Sequence, residues 1–216
     1  LIKTGVRLHL SQSVETIAAQ DGAVCGVQLG DTFLPADHVL VGVGAVPMDQ
    51  LAKDAGLSTE NGVVVDDHMA TDDPDIFAIG DCVSFPQIHL ERQVRLESVQ
   101  NATDQARALA LTLTGSPTRY TALPWFWSDI GALKLQIAGL SDAPDQLIET
   151  FDKDGALKSV YHLKHGKLIV CETLNSAGEH MLSRRMIADG FAPDIDLLVD
   201  GDARAMKLAY QDAVKG

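Results

Sequence analysis

The residues best suited to chemistry in this sequence lie in the stretch Ala70-Thr71-Asp72-Asp73-Pro74-Asp75-Ile76-Phe77-Ala78-Ile79-Gly80-Asp81. The run from Asp75 to Ile79 is predicted as a buried strand that delivers Gly80 and Asp81 to its C-terminal end, where ligands of open α/β sheets bind. Glycine at 80 has no Cβ, so a ligand could lie against its backbone. The Asp81 carboxylate can accept hydrogen bonds from sugar-alcohol hydroxyls. Taken alone, Gly-Asp also suits an ordinary strand-to-turn junction.

A second candidate runs from Arg95 through Glu97, Ser98, Val99 and Gln100 to Arg107. It reads as the start of a helix capped by Ser98, whose free first-turn N–H groups and dipole favour negative charge. A third is Pro124-Trp125-Phe126-Trp127-Ser128-Asp129, which holds the only two tryptophans of the 216 residues. Such a cluster could be a domain core or an aromatic opening. Gly42-Val43-Gly44 follows an apolar run and could border a dinucleotide, but no GxGxxG fingerprint occurs in the chain.

Several functions are disfavoured by composition. A net charge of -13 argues against nucleic acid as partner, because a phosphate backbone needs a basic face. No apolar run approaches the ~18 residues of a spanning helix, so no membrane span is expected, and no signal peptide is evident. The three cysteines, Cys25, Cys82 and Cys171, form no CxxC and read as reduced thiols of a cytoplasmic protein. His38, His68, His89, His162, His165 and His180 show no metal-ligand spacing and read as solvated or structural, so no metal is expected.

The elements that must position these residues fall into three blocks, 1–57, 58–122 and 123–216. The first is β-rich. Val6 to Leu10 alternates as a strand, Val14 to Ala18 and Val24 to Leu29 form a hairpin about Asp21-Gly22, and Thr32 to Leu34 follows. His38 to Gly44 is apolar enough for a strand buried on both faces, and Met48 to Ala55 is a short helix stopped by Gly56. The second block is α/β, with strands at Gly62 to Asp66 and Asp75 to Ile79 and a helix from Glu97 to Leu113 ended by Gly115 and Pro117. In the third, Leu133 to Ala138, Gln146 to Phe151, Ala156 to Leu163 and Lys167 to Leu174 read as an antiparallel meander with turns at Asp154-Gly155 and His165-Gly166. A helix from Ala177 to Ala188 closes it. The fold class is thus α/β followed by α+β.

These stretches closely resemble the FAD-dependent NAD(P)H:ferredoxin reductases of bacterial oxygenase systems (putidaredoxin/rhodocoxin reductase-like), in the pyridine nucleotide-disulfide oxidoreductase superfamily. The resemblance extends over essentially the whole chain. It implies remnants of the NAD(P)H-binding (1–57) and FAD-binding (58–122) domains, then a complete C-terminal reductase domain (123–216). It implies that Gly80 and Asp81 belong to the second FAD motif, with Asp81 on the ribityl chain. Glu97, Ser98, Val99 and Gln100 would lie at the pyrimidine edge of the flavin and Trp127 near it, with Gly42, Val43 and Gly44 beside NAD(P)H. A [2Fe–2S] ferredoxin serving a cytochrome P-450 or Rieske oxygenase would approach past Trp127 and Trp125, with Arg107 and Lys134 as rim cations. The chain begins at Leu1 and lacks the family's upstream cofactor loops, so it is expected to be the C-terminal half of such an enzyme and to hold neither cofactor tightly alone. A non-catalytic docking or dimerisation module, or an apoptosis-inducing-factor-like flavoprotein, are the alternatives.

Overall fold

Asp21-Gly22 turns the first hairpin as its residue types demand, both residues taking positive φ (51° and 80°). The computed structural model describes residues 5–141 and 143–215, in two units that part at Ala45–Val46. In the first, β1 (Thr16–Gln20), β2 (Ala23–Leu29) and β3 (Thr32–Pro35) form an antiparallel sheet in sequence order. Two expected strands are absent. Val6 to Leu10 is irregular and largely exposed, and 38–44 forms no ladder, with Leu40 98% and Val43 89% exposed. A strand buried on both faces takes its burial from neighbouring strands. Among the described residues none pairs with 38–44.

The second unit opens with α1 (Gln50–Asp54), ended at Gly56 (φ 80°). A small sheet follows, in which β4 (Val63–Val64) pairs parallel with β5 (Val83–Gln87), and β5 pairs antiparallel with β6 (Arg92–Val94). The strand expected at Asp75 to Ile79 is replaced by a turn and a single bridge between Ala70 and Phe77. The Thr71 hydroxyl donates to the carbonyls of Asp73 (3.0 Å) and Ile76 (2.9 Å), and the Asp73 carboxylate accepts the Asp75 N–H. These bonds curl the chain before it can run straight. Gly80 and Asp81 therefore precede a strand, β5, rather than end one.

α2 (Val99–Leu113) starts at Ser98, whose side chain accepts the Asn101 N–H at 3.1 Å. Its buried face is largely polar. Val99 and Leu113 are exposed, whereas Gln100, Asn101, Gln105 and Ala108 are buried. Below it lies a core of Val63, Val65, Met69, Val83, Phe85 and Tyr120, with Phe85 and Tyr120 packed edge to face at 5.3 Å.

The third sheet is antiparallel but is not a plain meander. β7 (Trp125–Ile130), β8 (Leu133–Gly139), β9 (Gln146–Phe151), β10 (Leu157–Lys164) and β11 (Lys167–Leu174) stand in the order β7-β8-β11-β10-β9. Tight turns at Asp154-Gly155 and His165-Gly166 hold β9, β10 and β11 together. Residues 140–145 carry no two-residue turn signal, so β9 can lie at the far edge and β8 pairs with β11. That pairing requires Gly139 (φ 86°), since a Cβ there would lie 2.1 Å from the Ile169 carbonyl oxygen. α3 (Ala177–Ala188) packs on β8 and β11, and α4 (Ile195–Val199) and α5 (Ala203–Lys215), which the sequence reading missed, complete a core around Tyr161, Leu163, Cys171, Met186, Leu198 and Met206. No helix among the described residues is long and apolar enough to cross a membrane.

Candidate functional site

The Gly80–Asp81 turn is tied to α2 and to the segment that leads into it. The Gly80 N–H donates to Oε1 of the fully buried Gln105 at 2.7 Å, and the Arg95 guanidinium donates to the Asp81 carbonyl at 3.1 Å and to Asn61 Oδ1 at 3.2 Å. Arg95 also pairs with Glu97, so one guanidinium joins the two sequence candidates. Gly80 has φ 85°, and a Cβ built on it meets nothing closer than Ala102 at 3.9 Å. Its glycine is thus a requirement of backbone conformation, with room left beside it. The Asp81 side chain is exposed.

Behind the turn runs a buried polar chain. Gln105 donates to Asn101 Oδ1 (3.3 Å), which also accepts the Tyr120 hydroxyl (3.1 Å), while the Asn101 amide donates to the Leu96 carbonyl (3.2 Å). Burial raises the Tyr120 pKa to about 12, so its hydroxyl stays a donor. The chain holds the first turn of α2 in place, and the N–H groups of Val99 and Gln100 find no acceptor among the described residues.

Beside that helix end opens a cleft of about 340 Å³. Val99, Gln100, Asp104 and Arg107 line it from α2, Trp125 and Trp127 from β7, and Arg184 from α3. The indole rings lie 5.5 Å apart, tilted by 30°. Trp127 is 49% exposed. On Trp125 the Arg184 guanidinium sits 4.5 Å from the ring centroid, and the His180 ring packs at 5.8 Å. Burial and then Arg184 push the His180 pKa down, so the imidazole is neutral, and neither of its nitrogens has a hydrogen-bond partner among the described residues.

Of the sequence candidates, Gly80, Asp81, Glu97 and Ser98 share the turn-and-cap region, and Val99, Gln100, Arg107, Trp125 and Trp127 meet in the cleft. Lys134 does not line it. It lies across from Asp129, nearer the β7–β8 hairpin end than Trp127, and its backbone N–H donates to Asn175. Gly42, Val43 and Gly44 are exposed in the first unit. Asp104, Arg184 and Gln105 were given no role in the sequence reading, and His180 was read as solvated or structural. Asp104 pairs with Gln100 and Arg107 on its own helix, whereas Gln105, His180 and Arg184 meet Gly80 or Trp125 on other elements, which no local pattern marks. Asp66, Asp67 and His68 lie close enough to share an ion, but Asp66 accepts two backbone N–H groups and Asp67 pairs with His68 and Arg119. All three cysteines are free, and burial raises Cys171 to about 12, leaving an inert thiol.

Residues 1–106 match the pyridine nucleotide-disulphide oxidoreductase family and residues 125–209 the reductase C-terminal family. The chain belongs to the pyridine nucleotide-disulphide oxidoreductases and carries the reductase C-terminal domain. It is 44% identical to rhodocoxin reductase of Rhodococcus erythropolis over 85% of this chain and 43% of that protein. It is 38% identical to putidaredoxin reductase of Pseudomonas putida over 88% of this chain and 43% of that protein. Among solved structures it resembles the covalent putidaredoxin reductase–putidaredoxin complex (TM-score 0.91, 35% identity, 98% of this chain and 52% of that one). It also resembles the ferredoxin reductase of the CYP199A2 system of Rhodopseudomonas palustris (TM-score 0.85, 40% identity, 94% and 52%). The chain spans about half the length of these relatives.

Proposed function

We propose that this chain is part of a cytoplasmic flavoprotein that passes electrons from NAD(P)H through FAD to a [2Fe–2S] ferredoxin feeding an oxygenase. Bound FAD would take up the hydride and release electrons singly. The protein's share is position and electrostatics. Residues 1–57 contribute to the NAD(P)H domain, with Gly42, Val43 and Gly44 beside the nicotinamide nucleotide. Residues 58–122 contribute to the FAD domain, and 123–216 form the ferredoxin-facing domain.

The observation that carries this reading is the juxtaposition of unpaired helix-start amides with an open aromatic cleft. Val99 and Gln100 offer N–H groups to a ring edge that becomes negative on reduction, and the Glu97–Ser98 segment sets the cap. Room beside Gly80 and the exposed Asp81 carboxylate suit a polyhydroxyl chain. Trp127, half exposed over the same cleft, would exclude water from the ring and face the incoming partner. Arg107 and Arg184 supply positive charge there for an acidic ferredoxin, while the rest of the acidic surface repels it. In the FAD-loaded protein, Asp81→Ala removes a charge-assisted hydrogen bond of about 1.5–3 kcal/mol, so flavin affinity should fall roughly ten- to hundredfold. Unchanged affinity would remove Asp81 from the site.

A further inference from the structure

Asp104 is the only carboxylate among the described residues lining the aromatic cleft, and it makes two kinds of contact there. Its Oδ1 pairs with Arg107 at 3.0 Å, and its Oδ2 accepts the Gln100 side-chain amide at 2.7 Å. Gln100 in turn accepts the Trp125 backbone N–H through Oε1 at 3.3 Å. The orientation of that amide is forced. An ionised carboxylate only accepts and a backbone N–H only donates, so Nε2 must face Asp104 and Oε1 must face Trp125. Gln100 is 7% exposed, so water cannot readily replace either bond. Trp125 is the first residue of β7 and stacks on Trp127 two residues along. Asp104 also acts on Arg184, the cation held over the Trp125 ring.

We propose that Asp104 is a positioning and specificity-determining residue of this cleft, which orients Gln100 and hence the tryptophan pair while cancelling one of the two arginine charges shown to a docking partner. The inference rests on the reading of the cleft as the docking face for an acidic ferredoxin, and it adds a residue that restrains that docking. With two arginines and one aspartate the lining carries one net positive charge. Without the aspartate charge it carries two. An acidic partner must share Arg107 with Asp104, so the wild-type cleft trades association speed for a fixed aromatic geometry.

Two substitutions separate the roles. Asp104→Asn keeps an oxygen that can accept from Gln100 but drops the charge. Asp104→Ala drops both. The chain has only two tryptophans, both in this cleft, so its intrinsic tryptophan fluorescence reports on the cleft alone. The positioning role requires that Asp104→Ala shift the emission maximum and raise iodide quenching, while Asp104→Asn leaves both as in wild type. Gln100→Met should reproduce the Asp104→Ala spectrum and serves if the alanine variant does not fold. Wild-type spectra in both Asp104→Ala and Gln100→Met would overturn this role. For specificity, stopped-flow association of the FAD-loaded protein with a purified acidic [2Fe–2S] ferredoxin should be roughly two- to tenfold faster for Asp104→Asn at low salt, the gain vanishing at high salt. An equal rate would overturn the charge role. If wild type does not engage the ferredoxin at all, the docking reading fails, and the fluorescence result still decides the positioning role.

Discussion

Replacing Gln105 by leucine should loosen the second unit from within. Gln105 is fully buried, accepts the Gly80 N–H at 2.7 Å and donates to Asn101 at 3.3 Å. Leucine is close in volume and leaves little cavity, so the cost is polar. Asn101 Oδ1 keeps the Tyr120 hydroxyl as a donor and stays satisfied. The Gly80 N–H loses its partner, at about 1–3 kcal/mol for an unsatisfied donor, and the second bond is worth roughly 0.5–1.5 kcal/mol. The gain from burying an apolar side chain offsets part of this, leaving a net loss of about 2 kcal/mol. For a unit of this size that is a fall in Tm of roughly 4–8 °C. Urea unfolding followed by far-UV circular dichroism measures it, with Leu111→Gln, on the exposed side of the same helix, as a control expected within about 0.5 kcal/mol. Flavin affinity should fall as well, because the Gly80–Asp81 turn loses its anchor. A change below about 0.5 kcal/mol for Gln105→Leu would refute the claim that this side chain holds the turn.

His180→Phe should keep the ring packed on Trp125 and remove two unpartnered nitrogens, so its stability at pH 7.5 should equal or exceed wild type. In wild type the unfolded chain takes up a proton below about pH 6.5 that the folded state, with its lowered His180 pKa, resists. Stability therefore falls as pH drops, and the variant should show a shallower loss of urea midpoint between pH 7.5 and 5.5. An identical slope would show that His180 does not titrate as described. Arg107→Glu should slow low-salt reduction of an acidic ferredoxin, and Lys134→Glu, outside the cleft lining, should do so less. Equal rates for Arg107→Glu and wild type would remove Arg107 from the docking rim. Residues 124–216 enclose a core of their own. In hydrogen exchange on the chain they should be better protected than 38–48, and equal protection would count against an autonomous C-terminal domain.

Local residue types determined much of this protein. Asp21-Gly22, Asp154-Gly155 and His165-Gly166 demand tight turns, Ser98 demands a helix start, and Ala177 to Ala188 forms the helix expected of it, because each depends on neighbours within a few positions. Gly80, Asp81 and the two tryptophans likewise stood out as candidates, since an unusual residue type at a turn or in a cluster shows without a fold. The tertiary structure decided the rest. The curl at Thr71 to Ile76 comes from side-chain bonds that outweigh an apolar run, and the exposed 38–44 shows that a buried strand depends on partners beyond its own sequence. β8 lies beside β11 because Gly139 permits contact with a backbone thirty residues away. Gln105 and Asn101 look like exposed helix residues and are buried, because the groups they satisfy belong to a distant turn and to Tyr120. Helical spacing brings Asp104 to Gln100 and Arg107, but neither its bearing on the tryptophans nor that of Arg184 shows in the one-dimensional pattern. Only the packing of α2, β7 and α3 places a carboxylate and two guanidiniums around one pair of indole rings.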